Sequence, residues 1–454
     1  MGELAIFDAT VPNFQFKGYR YVEYLRDPTG IAPLTVKVPP TNEFYDMERS
    51  FFEMRIRLRC GTNGLQGIVD GVSDANNCRN TLLPNQPPHS MFRRVDVKLA
   101  GTPITDTQDT YHLKAYFQTL LNYNRQEGKS LLKPTGWFNQ PSVISPLTST
   151  RVADNDRPTN LGMRHGDATN DIRKATEPYH DNAYVTLIFK PYEAPFWSEK
   201  VLIPHVEQIY QFYFNEPELF FFGTAMTGKV LPQFRDEDIE MKLVLCQLTL
   251  NINVHLSLVQ ELQHKKARYH VVHPIIRTFT WPGNTTRWRQ DDVFRELVPD
   301  RMFMVVMPST QFNGQLNQYM FDFKKMGIRR LRQKINSNEY PYRELELNPA
   351  DALLDIRGYH RLLDTFGCYA QSKECMIEPD DWSKNCCIFA FNNVPNGHAD
   401  DPSAKNPPQG GQVTIEVEFN TAPNENLTFV FYGEFEREWF IYPGPAVSFP
   451  DVNL

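Results

Sequence analysis

The sequence lacks the signatures of several common classes of protein. No stretch of 18 residues is free of charged residues and turn formers, so no transmembrane helix is predicted. The first residues contain no basic segment followed by an apolar run, and we therefore expect synthesis inside the cell without a secretory signal. A Walker loop, a Gly-x-Ser-x-Gly elbow and a His-Glu-x-x-His motif are all missing, which argues against the common nucleotide-dependent enzymes and hydrolases.

Cysteine is scarce and does not follow a metal-binding or disulfide pattern. The seven cysteines are an odd set without a Cys-x-x-Cys pair, which favours a reducing compartment. They are Cys60, Cys78, Cys246, Cys368, Cys375, Cys386 and Cys387. The last four and His360 fall within 28 residues, but their spacing does not fit a structural zinc site, so we interpret these cysteines as buried reduced thiols. We predict no metal site and no cofactor.

Positive charge is also limited. The chain has 47 Lys and Arg residues against 54 Asp and Glu residues, a formal net charge of −7, so any contact with DNA must be local. The exception is a basic run made of Lys324, Lys325, Arg329, Arg330, Arg332 and Lys334. One interpretation is contact with phosphates or with an acidic partner. The interpretation that we favour is a solvated strand edge, protected from aggregation by Lys and Arg.

The sequence does contain much apolar material, arranged with a period of two. Hydrophobic residues make up 41% of the 454 residues, enough for a core in each of two or three domains. Five segments alternate apolar and polar side chains, as strands with one solvated face do. Their apolar positions are Phe52, Met54, Ile56 and Leu58; Val95, Val97 and Leu99; Val185 and Leu187; Ile239, Met241, Leu243 and Leu245; and Val413, Ile415, Val417 and Phe419. Long, Pro-rich connections between them favour antiparallel sandwiches or jelly rolls.

Few helices are predicted. Residues 111–123 form one helix, behind a cap at Asp109 or Thr110, and residues 256–266 form a second that connects two halves. The apolar stripe of the first helix consists of Leu113, Tyr116, Phe117, Leu120 and Leu121. Residues 150–180 and 396–411 are polar and rich in turn formers, so we predict exposed loops there.

A weak internal repeat indicates two similar halves. In the first half, the strand that starts at Val95 is followed by a segment that opens with Tyr-His at Tyr111. In the second half, the segment that starts at Ile328 is followed by one that opens with Tyr-His at Tyr359. The two spacings differ, at 16 and 31 residues. Together with strand-rich halves of similar length, the repeat favours tandem copies of one sandwich fold.

Clustered carboxylates raise the question of a glycosidase. Glu416 and Glu418 share one face of a predicted strand, and Glu434, Glu436 and Glu438 share one face of the next. If these strands pair, the acids cluster as the two catalytic carboxylates of β-sandwich glycosidases do. The alternative is a row of solvent-facing positions, which an antiparallel sheet requires anyway. We predict no catalytic residues, and keep a secreted carbohydrate-binding or glycosidase-type β-sandwich protein as the alternative function.

Several motifs in a fixed order resemble double-jelly-roll major capsid proteins of viruses. They are Val-Pro-Pro-Thr-Asn-Glu-Phe-Tyr-Asp at 38–46, Pro-His-Ser-Met-Phe-Arg-Arg-Val-Asp-Val at 88–97, the helix at 111–123, Pro-Ile-Ile-Arg-Thr-Phe at 274–279, Phe-Asn-Gly at 312–314, Phe-Asp-Phe-Lys at 321–324 and Phe-Tyr-Gly-Glu-Phe at 431–435. The resemblance covers about residues 20–445. It is nearest to Polinton (Maverick) elements and adintovirus-like viruses, within the adenovirus hexon and virophage capsid lineage.

The resemblance implies an all-β fold of two tandem eight-stranded antiparallel jelly rolls, a double jelly roll with few short helices. It divides the chain into an N-terminal arm, a first jelly roll, a connector, a second jelly roll and a C-terminal tail. The corresponding ranges are 1–19, 20–255, 256–268, 269–445 and 446–454.

The resemblance also implies a function. We expect a viral major capsid protein without enzymatic activity or a small-molecule substrate, which forms pseudo-hexagonal homotrimeric capsomers and an icosahedral shell around a double-stranded DNA genome. Expected partners are neighbouring capsomers and penton and minor or cement capsid proteins, together with non-specific contact to packaged DNA. The basic run is expected at the inner face or at a partner contact. The location is the virion capsid, after synthesis in the host cell without a secretory signal.

Overall fold

Antiparallel strands dominate the architecture. The computed structural model describes residues 16–28, 30, 32–57, 83–105, 108–138, 184–198, 200–221, 238–315, 318–347, 356–371, 373–397, 409–442 and 446–448. All pairings between its named strands are antiparallel. The predicted loop at 150–180, together with Cys60 and Cys78, lies outside these residues.

Eight strands of the first half form two four-stranded sheets. They are β1 (Phe16–Leu25), β2 (Leu34–Val38), β3 (Phe44–Ile56), β4 (Phe92–Leu99), β5 (Thr102–Pro103), β6 (Val185–Phe189), β7 (Gln208–Phe214) and β8 (Ile239–Leu250). One sheet has the order β1-β8-β3-β6, and the other has the order β2-β7-β4-β5.

The second half contains twelve strands among the described residues. They are β9 (Ala267–Trp281), β10 (Arg287–Gln290), β11 (Leu297–Val298), β12 (Arg301–Pro308), β13 (Ile328–Ile335), β14 (Asn338–Glu339), β15 (Leu345–Glu346), β16 (Phe389–Asn392), β17 (Gln409–Gly410), β18 (Val413–Phe419), β19 (Leu427–Tyr442) and β20 (Ala446–Ser448). The main sheets are β9-β19-β12-β16 and β10-β18-β13-β14; β15 pairs with β13, β20 pairs with β19, and β11 pairs with β17.

The two halves repeat one topology. If the short additions β11, β15, β17 and β20 are set aside, the eight main strands of each half follow the orders 1-8-3-6 and 2-7-4-5. Two such sheets packed over a common core are a jelly roll. The predicted fold class, two tandem antiparallel jelly rolls, is confirmed.

Alternation of side chains explains why these segments are strands. In β18 the apolar positions Val413, Ile415 and Val417 are at most 2% exposed, whereas the intervening glutamates face outward. The five segments predicted from this pattern fall in β3, β4, β6, β8 and β18. The strand β3 ends at Ile56, and Leu58 lies beyond the described residues.

The helices are short, as expected. They are α1 (Pro87–Ser90), α2 (Tyr111–Asn122), α3 (Arg125–Lys129), α4 (Pro217–Phe220), α5 (Ile252–Leu262), α6 (Ser309–Asn313), α7 (Ile356–Thr365), α8 (Cys368–Gln371) and α9 (Pro379–Lys384), with 3₁₀ turns at Lys133–Thr135 and Ala194–Trp197. Across the described ranges, no helix combines the length and apolarity needed to cross a bilayer.

Three local predictions differ from the structure. Thr110 precedes α2, but its side chain caps no backbone N–H. The connector helix starts at Ile252 because the Asn251 side chain accepts the Asn253 N–H and so caps it four residues earlier than predicted. The predicted loop at 396–411 includes β17, whose two-residue pairing with β11 carries no periodic signal.

The predicted domain boundaries stay predictions. β1 starts at Phe16, within the range assigned to the arm, where it pairs with the end of β8. The second set of strands starts at Ala267, just after α5.

The halves are joined by a long ribbon of β9 and β19. Where the start of β9 pairs with the end of β19, four residues belong to the core of the first jelly roll: Tyr269, Val271, Trp439 and Ile441. Residues nearer the middle, such as Ile276, belong to the core of the second. The Tyr269 and Trp439 rings stack at 4.1 Å between centroids. One ribbon therefore contributes to both cores.

Candidate functional site

The basic run lies on and just before β13. Leu331 and Gln333 point into the sandwich and are 1% exposed, so Arg330, Arg332 and Lys334 project from the opposite face. The strand is paired on both sides, with β18 along its length and with β14 and β15 over two residues each. The interpretation of a strand edge is therefore wrong, because these neighbours occupy both edges of β13.

Glutamates of the neighbouring strands face these cations. Arg330 lies opposite Glu418 in the register, and Arg332 lies opposite Glu416. The Lys334 Nζ is 2.8 Å from Glu416 Oε1, and an Arg332 guanidinium nitrogen is 3.3 Å from Glu416 Oε2. Ion pairs with β18 thus offset the charges of Arg332 and Lys334 within the sheet.

Charge on this outer face is balanced. Six cations and six carboxylates share it. The cations are Arg287, Arg289, Arg329, Arg330, Arg332 and Lys334, and the carboxylates are Asp291, Glu339, Glu344, Glu346, Glu416 and Glu418. We refer to these twelve residues as the charged face. Such a surface suits a partner that carries both signs better than it suits a polyanion.

The electrostatics of the charged face favour the ionised state. Partial burial acts to raise the pKa of Glu416, but the Lys334 hydrogen bond and the charges of Arg332 and Arg289 outweigh it and lower that pKa. The hydrogen bond to Arg289 lowers the pKa of Asp291. These carboxylates are ion-pair partners, not proton donors.

The remaining two cations of the run lie before the strand. The Lys324 Nζ is 2.9 Å from an Asp322 carboxylate oxygen. The Lys325 Nζ lies 5.2 Å from the ring centroid of Trp382, a buried residue of α9. Their different partners separate them from the charged face.

A groove of about 410 Å³ crosses the charged face. Its lining residues are Arg287, Trp288, Arg289, Arg330, Arg332, Glu344, Glu416, Val417 and Glu418. The groove is open on one side and its walls are ion-paired. It can accept a side chain or loop of a partner, and the sequence analysis missed Glu344, which lines it just before the two-residue strand β15.

The glutamates considered for glycosidase chemistry do not form one cluster. β18 and β19 lie in different sheets, so Glu416 and Glu418 are separated from Glu434, Glu436 and Glu438 by the core. Glu434 is buried against Arg301, with 2.7 Å between the Arg301 Nε and a carboxylate oxygen. A retaining or inverting glycosidase needs a raised pKa on one acid of a facing pair, and the lowered pKa of Glu416 is the opposite.

A second candidate region is the junction between the jelly rolls, where α2 is buried. The predicted stripe of α2 enters the core of the second half. Its Tyr116 ring stacks on Phe321 at 4.0 Å, and Phe117 stacks on Tyr432 at 5.1 Å. Among the described residues, aromatic side chains fill this part of the junction.

Several polar groups at the junction pair with one another, although the buried Nδ1 of His112 in α2 has no hydrogen-bond partner among the described residues. Lys114 of α2 donates to both carboxylate oxygens of Glu193, at 3.0 and 2.9 Å, and both residues are buried. Nearby, Thr119 hydrogen-bonds to Gln86 and Tyr192. Among the described residues, no group of three or more His, Cys, Asp or Glu side chains is placed to hold a metal ion.

Large apolar side chains are exposed on the first jelly roll. Tyr19 and Tyr21 of β1 are 59% and 50% exposed, and Ile252 and Leu256 of α5 are 71% and 54% exposed. Leu258 and Leu262 of the same helix pack on Phe44, Cys246 and Leu248. The outer side of β1 and α5 therefore presents apolar surface of the kind found at protein interfaces.

Comparisons by sequence find little. No family model matches the chain. An uncharacterized protein of Caenorhabditis elegans, F54H12.2, is 21% identical over 356 residues, which cover 78% of this chain and 78% of that protein.

Comparisons by structure are more informative. A chain of the Sputnik virophage structure determined by cryo-EM has a TM-score of 0.59 and 10% identity, covering 99% of this chain and 92% of its own. PBCV-1 VP54, fitted into a reconstruction of that virophage, has a TM-score of 0.52 and 8% identity, and the match covers 99% of this chain and 100% of VP54. The Faustovirus major capsid protein has a TM-score of 0.50 and 9% identity, and the match covers 95% of this chain and 92% of that protein. The chain thus has the fold of double-jelly-roll viral capsid proteins.

Proposed function

We propose that the protein is a viral major capsid protein whose role is structural and not catalytic. The observation that carries the proposal is the repeated strand order of its two halves, in a chain whose whole length aligns with viral capsid folds. The filled junction and the ion-paired groove support it, since aromatic side chains occupy the junction and the pKa of Glu416 in the groove is lowered.

The capsomer is a homotrimer. Three copies of a double jelly roll present six similar sandwiches, which gives a pseudo-hexagonal tile and closed threefold symmetry. The exposed aromatic and aliphatic side chains of β1 and α5 supply apolar surface for contacts between copies or between capsomers. Such tiles form an icosahedral shell around a double-stranded DNA genome in the virion.

The placement among Polinton- and adintovirus-like viruses rests on the ordered motifs in the sequence. Penton and minor or cement proteins complete the shell.

The basic run is a partner contact within this shell. Because its cations are balanced by carboxylates, the charged face fits a neighbouring capsid protein better than packaged DNA. Contact with DNA is left to residues outside the charged face.

The oligomeric state of the purified full-length chain tests the proposal. Native mass spectrometry at several protein concentrations is expected to give a species of three chains. A stable monomer at the highest concentration contradicts the capsomer proposal.

A further inference from the structure

Two cysteines lie side by side in the helical segment between β15 and β16. Cys368 is the first residue of α8, and the Lys373 N–H donates to its carbonyl oxygen over 3.1 Å, which turns the chain back towards α8. The Cys375 thiol then contacts the Cys368 thiol through a hydrogen bond, and its sulfur accepts the Ile377 N–H over 3.4 Å. Both cysteines are reduced. Two thiols held in contact by a turn need little movement to join.

This pair differs from the other described cysteines in its surroundings. Cys368 and Cys375 are partly exposed, whereas Cys246, Cys386 and Cys387 are buried. The hydrogen bond of the Cys375 thiol to Cys368, with burial, raises the pKa of Cys375. Their partial exposure lets a small oxidant reach the pair, which the buried thiols do not allow.

We propose that Cys368 and Cys375 are an oxidation-sensitive dithiol that hydrogen peroxide closes to an intramolecular disulfide. One of the two sulfurs, as the thiolate, attacks one peroxide oxygen; an S–O bond forms, the O–O bond breaks, and the other oxygen leaves as water after taking up a proton. The second sulfur then attacks the sulfenic acid; the S–S bond forms, the S–O bond breaks, and a second water leaves. Two thiol sulfurs are oxidised, and one peroxide is reduced to two waters.

The cross-link fixes a segment that contacts the first jelly roll. The Lys373 Nζ donates to the Leu121 carbonyl oxygen at the end of α2 over 3.2 Å. Farther along, Arg125 of α3 lies 3.1 Å from an Asp381 carboxylate oxygen. A disulfide between residues 368 and 375 restrains the loop that carries the first of these contacts. The disulfide thereby restrains a loop that contacts the end of α2, whether or not the chain forms a capsid.

Tryptic peptide mapping of the full-length chain tests the proposal directly, because Lys373 lies between the two cysteines. The native protein is treated with hydrogen peroxide, remaining thiols are alkylated, and the chain is digested. Cleavage after Arg361, Lys373 and Lys384 gives peptides 362–373 and 374–384, which only this disulfide can join as a pair. We expect the joined pair, lighter by two hydrogens than the sum of the peptides, and its separation by dithiothreitol.

The same digest contains its own control. Peptide 385–405 carries the buried Cys386 and Cys387, and we expect alkylated thiols there. The variants Cys368→Ser and Cys375→Ser, each checked for an unchanged unfolding temperature, are expected to lose the joined pair completely. Unlinked, alkylated peptides 362–373 and 374–384 after peroxide treatment overturn the proposal, as does a cross-link from Cys375 to peptide 385–405.

Discussion

At the scale of single residues, Glu416 shows how the sheet holds its charges. One carboxylate lies within 3.5 Å of Lys334, Arg332 and Arg289, which come from two strands that flank β18 on opposite sides. An isolated exposed ion pair contributes little to stability, but several charges around one carboxylate act as a network. Glu416 therefore joins the charges of β10 and β13 across the outer face of the second jelly roll.

Replacing Glu416 tests this network. We expect Glu416→Gln to lower the free energy of unfolding by about 1 kcal/mol at low salt, and by less in concentrated salt, because screening weakens the lost attractions. Chemical denaturation at two ionic strengths measures both effects. The matched control is Glu240→Gln, which removes a single exposed partner of Arg55 and is expected to change little. Equal losses for the two variants contradict the network.

Asp300 provides a pH-dependent test in the same half. Burial and the nearby carboxylates of Glu436 and Glu434 raise the pKa of Asp300 from 3.8 to about 6. The folded state therefore binds the Asp300 proton more tightly than the unfolded state does. The free energy of unfolding consequently falls as pH rises from about 4 to 6, and it stays lower above pH 6.

Replacing Asp300 with a neutral side chain removes the loss of stability that its ionisation causes. Because the carboxyl is partly exposed and screened, we expect Asp300→Asn to raise the free energy of unfolding by only about 1 kcal/mol at pH 8 and to have almost no effect near pH 4. Thermal unfolding of both proteins across this range measures the difference. If Asp300→Asn increases the free energy of unfolding most at low pH, the raised pKa of Asp300 is contradicted.

At the scale of elements, α2 links the two sandwiches. The helix leaves the first jelly roll after β5, and its apolar stripe packs in the core of the second. The only lysine of α2, Lys114, is buried with Glu193 and satisfies that carboxylate. A buried ion pair adds little net stability, but loss of one partner leaves a charge in an apolar environment.

A pair of variants at this site separates the two effects. We expect Lys114→Met alone to lower the free energy of unfolding by about 3 kcal/mol, because Glu193 keeps its charge without the cation. Lys114→Met combined with Glu193→Gln is expected to recover much of that loss. Denaturation curves of both variants measure the coupling. A double variant that is less stable than the single variant contradicts this account.

Much of the strand content could be predicted from the sequence, because a half-buried strand leaves a period-two pattern. The five predicted segments and the stripe of α2 follow from that pattern and from helical spacing. The two-residue strands β5, β11, β14, β15 and β17 could not be predicted, since two residues have no period. For the same reason the sequence located the basic run but missed the glutamates of β14 and β15 that neutralise it.

At the scale of the whole molecule, the repeat is clearer in space than along the chain. The helices α2 and α7 occupy equivalent places, after the fifth and before the sixth main strand of their halves. The spacings of 16 and 31 residues hid this equivalence because β15 and its flanking loops are inserted only in the second half. The position of Glu416 and Glu418 relative to Glu434 likewise depends on which sheet each strand joins, a long-range property that alternation does not encode.

Two equivalent sandwiches per chain have a geometric consequence for assembly. A threefold axis acting on a chain with two similar, rigidly linked lobes produces six lobes around a ring. The ribbon of β9 and β19, which contributes to both cores, keeps the two lobes of each chain together. The outline of the assembled particle therefore reports directly on the repeated fold.

Negative-stain electron microscopy of the purified full-length protein is the most direct test of the capsid account. The account predicts compact particles with a hexagonal outline and threefold symmetry in class averages. Averages that contain only single two-lobed particles, at concentrations where capsid proteins associate, contradict it.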